Sequence, residues 1–509
     1  MAPLNLLILM DDQHRHDALG CAAQGIAPDQ RTWLMGHGNT PVQTPHLDRL
    51  AASGSRFSEA VANLPVCVPC RHSFLTGLYP HQTGILANSH YWPDQPPVPI
   101  LSTYLKQAGY ATAAIGKMHW KSRHAPAEHV PDKRGFDFRV SAGNASDGPR
   151  DRDYADTLSD FDVEQNRRNS ERFGSGGESR LGYIGDVSHL PAARLPEAWL
   201  ADQAIEYLQR HHRERGDRPF CLIVSLSRPH PPNVIPADYA GMFDPGTVPV
   251  PPAVPPGFQE DDHHIRRHIV ARDWGLMAEA EIRQSVARYL TNVRFVDDCL
   301  GRVLTALDES GHAANTQVVY FSDHGEMLGE RAGAHTKYCL YESSVRVPLI
   351  VRWPGVSQAG LVSRAPVELI DLMPTWLEAA EIPVPAMLPG RSLRPLLAGE
   401  NPQAIGWREV TLSEQYTPVD APDAPRAQWT LRDGRYKLIE RLSARGALYD
   451  LREDPNEFSN RIDEPGLADV RERLRESLIR GVLTRAEQFP AQQTPIVAIA
   501  RGPVVSPER

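Results

Sequence analysis

The chain has 509 residues, 41% hydrophobic and 23% charged, with a net charge of -9 from 54 basic and 63 acidic side chains. This is globular composition, long enough for several domains or for one large α/β domain with an appendage, and it excludes collagen-like, coiled-coil and wholly disordered chains. No apolar run approaches the ~18 residues of a membrane-spanning helix, and the acidic balance argues against a nucleic-acid binder.

In chain order, Leu4–Met10 is a nearly continuous apolar run that ends in Asp11-Asp12. Such a run suits a buried parallel strand, whose carboxyl end is where α/β sheets bind ligands. The run is short, lacks a basic flank and meets two aspartates at once, so it does not read as a secretory signal; the expectation is a cytoplasmic protein. Thr44–Ser55 carries a Thr-Pro helix start with Leu47, Leu50 and Ala51 at helical spacing. Arg56–Ala62 reads as a short strand, Ile100–Ala108 as a helix, and Ala111–Ile115 as a strand leading into Gly116-Lys117-Met118-His119. Residues 124–195 are polar and predict a long, loop-dominated insertion. Leu195–His211 predicts an amphipathic helix and Pro219–Ser225 a strand, followed by His230. Ala278–Ser310 predicts a long helix, and Gln317–Phe321 and Pro348–Trp353 two more strands, the first followed by Ser322-Asp323-His324-Gly325.

This alternation predicts an α/β fold: a large, mostly parallel sheet sandwiched by helices over residues 1–405. Over 406–488 short strands at Glu409–Leu412, Trp429–Arg432, Tyr436–Glu440 and Ala447–Tyr449, then a helix at Leu467–Leu483, predict a small α+β subdomain with an antiparallel sheet. Residues 489–509 read as an extended tail, a candidate contact to a second copy in a homo-oligomer.

Three strand ends thus carry Asp11-Asp12-Gln13, Lys117 with His119, and Asp323-His324. Carboxylates and an imidazole gathered on one sheet edge form a reasonable ligand set for a divalent metal. The same groups also serve as strand-end caps and ion-pair partners. Cys67-Val68-Pro69-Cys70-Arg71 is the sharper signal. Taken alone, its Cys-x-x-Cys reads as a redox pair or half a zinc site, but no second Cys-x-x-Cys exists and the acidic strand ends stay unexplained.

With its surroundings, the segment resembles the type I sulfatases of the alkaline phosphatase superfamily. The resemblance rests on Cys67-x-Pro69-x-Arg71 together with Thr44-Pro45-His46-Leu47-Asp48, Gly116-Lys117-Met118-His119, Ser322-Asp323-His324-Gly325-Glu326, Lys337, Tyr341-Glu342-Ser343-Ser344-Val345-Arg346-Val347-Pro348 and Leu448-Tyr449-Asp450, all in order along the chain. It implies that Cys67 is oxidised by a formylglycine-generating maturation enzyme to Cα-formylglycine, which acts as nucleophile and metal ligand. It implies that Asp12, Asp323 and His324 are metal ligands, joined by Asp11 or by Gln13. Arg71 would hold the ligands in place, and Lys117 and Lys337 would clamp the sulfate. His119 would take the proton from the aldehyde hydrate, and His230 would protonate the leaving oxygen with Lys337 sharing that task. Asn88 would touch the sulfate. The implied metal is a single divalent ion, calcium first, with manganese or magnesium as alternatives. Cys70 departs from the family pattern, where serine or alanine is usual.

The chemistry is consistent with this. A sulfate ester is an anion that repels nucleophiles, so its hydrolysis needs positive groups around it and a nucleophile that can leave again. The expected activity is hydrolysis of a small-molecule or saccharide sulfate ester. A phosphonate monoester or phosphodiester hydrolase of the same superfamily is the alternative, because those substrates carry the same single negative charge. A non-catalytic binding protein on this fold would be expected to lack a nucleophile, ligand or clamp, and none is missing.

Overall fold

The computed structural model describes residues 3–35, 42–92, 96–120, 134–142, 158–159, 162, 168, 171–173, 178–215, 218–266, 277–416, 427–442, 444–486 and 497–498. Much of the expected 124–195 insertion and nearly all of the 489–509 tail lie outside the described residues.

Eight strands build the main sheet: β1 (Asn5–Asp12), β2 (Ser55–Phe57), β3 (Ala111–Gly116), β4 (Phe138–Val140), β5 (Phe220–Pro229), β6 (Thr316–Ser322), β7 (Leu349–Arg352) and β8 (Leu361–Ser363). Their spatial order is β8-β2-β7-β6-β1-β5-β3-β4. Every neighbouring pair is parallel except those made by β7, which runs antiparallel to both β6 and β2. β1 lies at the centre, paired with β5 and β6, and is buried along its whole length.

The unbroken apolar runs follow from burial on both faces. Leu6, Ile8 and Met10 of β1 point to one side, with Ile223 and Phe321, and pack on α2 (Cys67–Thr76), α3 (Leu101–Gln107) and α6 (Leu372–Ala379). Leu7 and Leu9 point to the other side, with Val224 and Val318, and pack on α1 (Pro45–Ser53), α4 (Pro196–Arg215) and α5 (Glu279–Glu309). Two-residue side-chain alternation thus makes two cores on one sheet. No helix among the described residues is long and apolar enough to cross a membrane.

The C-terminal strands β9 (Thr411–Tyr416), β10 (Ala427–Arg432), β11 (Tyr436–Arg441) and β12 (Ala447–Asp450) form the expected antiparallel sheet, in sequential order. Leu431, Leu438 and Leu448 pack with Leu474 of α7 (Ala468–Ala486). This sheet is tied to the larger one near the site: Glu414 N donates to Asn63 O at 2.7 Å, and Gln415 Nε2 to Tyr338 O at 2.7 Å. Within the expected tail, Val497–Ala498 pairs antiparallel with His90–Tyr91 of the same chain.

Two glycines are required where the chain closes on the site. Gly116 ends β3 at φ +93, where a Cβ would sit 1.9 Å from Ser225 O. Only glycine permits that approach, which lets Lys117 N donate to Ser225 O at 2.8 Å. Gly77 ends α2 in the left-handed conformation at φ 72, its N–H closing on Ser73 O at 2.8 Å.

Candidate active site

The carboxyl ends of β1, β3, β5 and β6 meet the N-terminus of α2. Ligand atoms of Asp12, Cys67, Asp323 and His324, all buried, lie within 4.8 Å of one another. Cys67 Sγ is 3.1 Å from His324 Nε2 and 3.7 Å from Asp12 Oδ1. Cys67 is the first residue of α2, a helix buried over all its residues. The positive end of the helix dipole therefore faces the cluster. Pro69 is tolerated because it falls in the first turn, where amide donors have no intrahelical partner. Asn88 supplies the cap that Val66 does not: its Oδ1 accepts the Val68 N–H at 2.9 Å, and its Nδ2 reaches Tyr338 Oη at 3.4 Å.

Arg71 lies one turn further along α2 and is fully buried. Its Nε donates to Asp323 Oδ2 at 2.8 Å, its Nη2 to Asp12 Oδ2 at 3.2 Å and its Nη1 to Ser225 Oγ at 2.9 Å. One guanidinium thus bridges two carboxylates of the cluster, a geometry its planar fork suits. Lys117 Nζ adds a 2.6 Å contact to Asp12 Oδ2. Burial opposes ionisation of Asp12, but Lys117, His230 and Arg71 outweigh it and hold the carboxyl well below the usual range. Burial and the nearby Lys117 and Arg71 push the His119 imidazole well down, leaving it neutral and able to take up a proton. His119 has φ 53, and Gln13 has φ 69; non-glycine residues in this region are uncommon and gather at functional sites.

Lys337 forms the opposite wall. Its Nζ lies 3.0 Å from Gln13 Oε1, 2.6 Å from Glu178 Oε1 and 2.8 Å from His230 Nε2. His230 Nδ1 is 2.6 Å from Pro231 O. Burial, then Lys337 and Lys117, push the His230 imidazole down to about 3.

All the residues expected from the sequence converge here except one. Asp11 is not in the ligand cluster: its Oδ2 is 2.6 Å from His14 Nδ1 and accepts from Tyr320 Oη at 2.9 Å. Consecutive strand residues face opposite ways, so β1 cannot turn both aspartates to one side. Gln13, bent back by its positive φ, takes the place beside Lys337 and gives a second hydrogen bond to Glu326. Two site residues are absent from the sequence reading. Glu326 is buried against Gln13 and lies within a quoted block, where the resemblance gives it no role of its own. Glu178 comes from a polar segment with no motif around it.

The bland readings of Cys67-x-x-Cys70 do not survive. Both thiols are free and buried, and burial pushes Cys67 up to about 12, with Asp12 adding to it, the opposite of a redox thiolate. Cys70 is absent from the ligand cluster and sits in the core with Val68 and Phe74. Arg228 is ion-paired to Glu197, and Trp120 stacks on Phe136 with ring centroids 5.9 Å apart.

The fold and site are those of an alkaline phosphatase-superfamily hydrolase. The Sulfatase family model matches residues 3–382, and the model for the N-sulphoglucosamine sulphohydrolase C-terminal region matches 329–482. The chain belongs to the sulfatase family and is a sulfuric ester hydrolase. It is 28% identical over 481 residues to the uncharacterized sulfatase YidJ of Escherichia coli, spanning 93% of this chain and 86% of that one. It is 27% identical to an N-acetylglucosamine-6-O-sulfatase of Bacteroides thetaiotaomicron, spanning 90% and 82%. Among solved structures, a phosphonate monoester hydrolase from Silicibacter pomeroyi superposes with a TM-score of 0.73 at 27% identity, covering 96% of each chain.

Proposed function

We propose that the protein hydrolyses sulfate monoesters of carbohydrates through a Cα-formylglycine formed at Cys67 and a single divalent metal, calcium first. The observation that carries this reading is the position of Cys67 Sγ, at a helix N-terminus between His324 and Asp12 and ringed by Arg71, Lys117 and Lys337. The carbohydrate class is supported by the N-acetylglucosamine-6-O-sulfatase relative.

The residues fit the implied metal. Two buried carboxylates, the Gln13 amide oxygen and one imidazole form an oxygen-rich, hard donor set. Asp12, Asp323 and His324 would hold the ion, with Gln13 beside them. When present, the ion supplies positive charge that lowers a hydroxyl pKa and polarises sulfuryl oxygens, and the hydrated aldehyde supplies one hydroxyl for attack and a second for release. Arg71 keeps Asp12 and Asp323 oriented through its hydrogen bonds to both. Lys117 and Lys337 lie where sulfate oxygens gain charge. His119, neutral at rest, takes the proton that the attacking hydroxyl loses. Lys337 and His230 form the leaving-group side, and Asn88 fixes the α2 terminus beneath the nucleophile.

The test is peptide mass spectrometry of the Cys67 segment after coexpression with a formylglycine-generating enzyme, followed by a substrate panel. Matured protein should turn over 6-O-sulfated aminosugars and lose that activity in Cys67→Ala. Turnover that persists with an unmodified thiol would reject the nucleophile. The Silicibacter pomeroyi likeness favours one second reading, a phosphonate monoester hydrolase. A higher kcat/KM on phenyl phosphonates than on any sulfate ester would select it.

A further inference from the structure

A separate pocket opens on the flank of the same sheet edge, where the end of β2 meets the chain entering β7. Its polar lining is His16, Arg56, Ser58 and Arg346, closed by Phe57 and Met35. The interior is about as wide as one water-sized sphere.

Its lining is short of partners. His16 is 6% exposed, and neither ring nitrogen has a hydrogen-bond partner among the described residues. Arg56 is 4% exposed; among the described residues it makes a single hydrogen bond, from Nη2 to Gln24 O, its Nε has no partner and it forms no ion pair. The Nε of Arg346 likewise has no partner among the described residues. Arg346 shares two neighbouring carboxylates, Glu59 and Glu342, with basic groups outside the pocket. Glu59 is shared between Arg346, at 3.4 Å, and Arg432. Glu342 is 2.9 Å from Arg432, 3.1 Å from Lys437 and 3.5 Å from Arg346. A buried guanidinium without a counter-charge is costly, and buried N–H groups without acceptors add to that cost. Arg346 has carboxylates of its own, but Arg56 and His16 on the same small cavity have no anionic partner among the described residues.

We propose that this pocket binds a small inorganic anion of halide size, held by the N–H groups of Arg56, Arg346 and His16. The narrow interior selects against tetrahedral sulfate, so the site is distinct from the one that binds the product. It also has a route to the active site. Arg346 follows Ser343 and Ser344, whose carbonyls accept the N–H groups of Glu326 at 2.9 Å and Gly325 at 2.8 Å, in the turn that carries His324. The anion would brace that turn from behind.

The experiment is thermal unfolding of the full chain in sodium bromide or chloride, titrated against sodium gluconate at constant ionic strength. The wild type should show a saturable rise of roughly 2–4 °C in its midpoint. Arg56→Met should show none. An equal halide response in both proteins, or no response in the wild type, overturns the proposal. Bromide-soaked crystals of the wild-type protein give a second readout that does not depend on the variant folding: an anomalous peak between Arg56, Arg346 and His16 supports the site, and its absence at saturating bromide rejects it.

Discussion

Lys337 Nζ stands 2.8 Å from His230 Nε2, two basic groups in hydrogen-bond contact. Both cannot donate. His230 Nδ1 lies 2.6 Å from a carbonyl, Pro231 O, so it carries the imidazole proton and Nε2 accepts from the lysine. Burial and Lys337 hold the imidazole neutral, and its pKa near 3 agrees with that tautomer. On the proposed mechanism, the proton offered to a leaving oxygen would therefore come from Lys337, with His230 orienting it. Lys337→Ala should lower kcat by about 10²–10⁴-fold on alkyl or sugar sulfates, whose alkoxides need a proton. On 4-nitrophenyl sulfate, whose leaving group needs none, the loss should be about tenfold or less. Equal losses on both substrates would assign Lys337 to sulfate binding alone.

Asp11 and Asp12 are adjacent in sequence but belong to opposite faces of β1. Asp11 Oδ2 accepts from Tyr320 Oη at 2.9 Å, in the core against α5, while Asp12 faces Arg71 and Lys117. Gln13→Ala should therefore weaken calcium or manganese binding by about 10–100-fold, measured by isothermal titration. Asp11→Asn should leave that affinity nearly unchanged and instead cost about 1–3 kcal/mol of stability, by weakening the buried contact to His14. The reverse pattern would restore Asp11 to the ligand set.

These two cases show what was legible and what was not. The sheet was readable because β1, β5 and β6 are buried on both faces, which leaves unbroken apolar runs ending in polar groups. The cluster was readable because parallel strands bring such ends to one edge. The Asp11/Gln13 register resisted reading because it depends on φ 69 at Gln13, a backbone choice that no side-chain pattern announces. The direction of β7 was also hidden: Leu349–Arg352 is as apolar as its parallel neighbours, and only the path from Lys337 to Pro348 turns it antiparallel. Asn88 was located near Cys67, but its capping contact to Val68 spans 20 residues and is a tertiary fact.

Glu178 is the clearest case of a residue the sequence hides. Nothing periodic surrounds it, yet its Oε1 lies 2.6 Å from Lys337 Nζ and 3.9 Å from His230 Nε2. An incoming sulfate must share Lys337 with this carboxylate and sit in its field. Glu178→Gln should therefore tighten inhibition by inorganic sulfate, lowering Ki roughly three- to tenfold, with the larger effect at low salt. A Ki that is unchanged or higher would mean that Glu178 positions Lys337 rather than competing for it.

Two buried histidines away from the metal cluster, His72 and His335, make stability fall in acid. His72 sits on α2 with Nδ1 2.8 Å from Val68 O, and burial lowers its pKa from 6.5 to about 3. His335 has Nδ1 2.9 Å from Gly333 O and Nε2 3.0 Å from Ser285 Oγ, and burial lowers its pKa to about 4. Both rings are native in the neutral form. With folded values below the unfolded 6.5, their contribution is fully present above about pH 6.5 and is lost as pH falls towards 4, because the unfolded chain binds protons that the native one refuses. The urea midpoint of the wild type should fall steadily between about pH 6.5 and 4. His335→Gln, which keeps a donor and an acceptor near Gly333 and Ser285, should flatten that slope by up to one proton while lowering stability at pH 8. A variant with the wild-type slope would mean that His335 protonates as readily in the folded protein as in the unfolded chain.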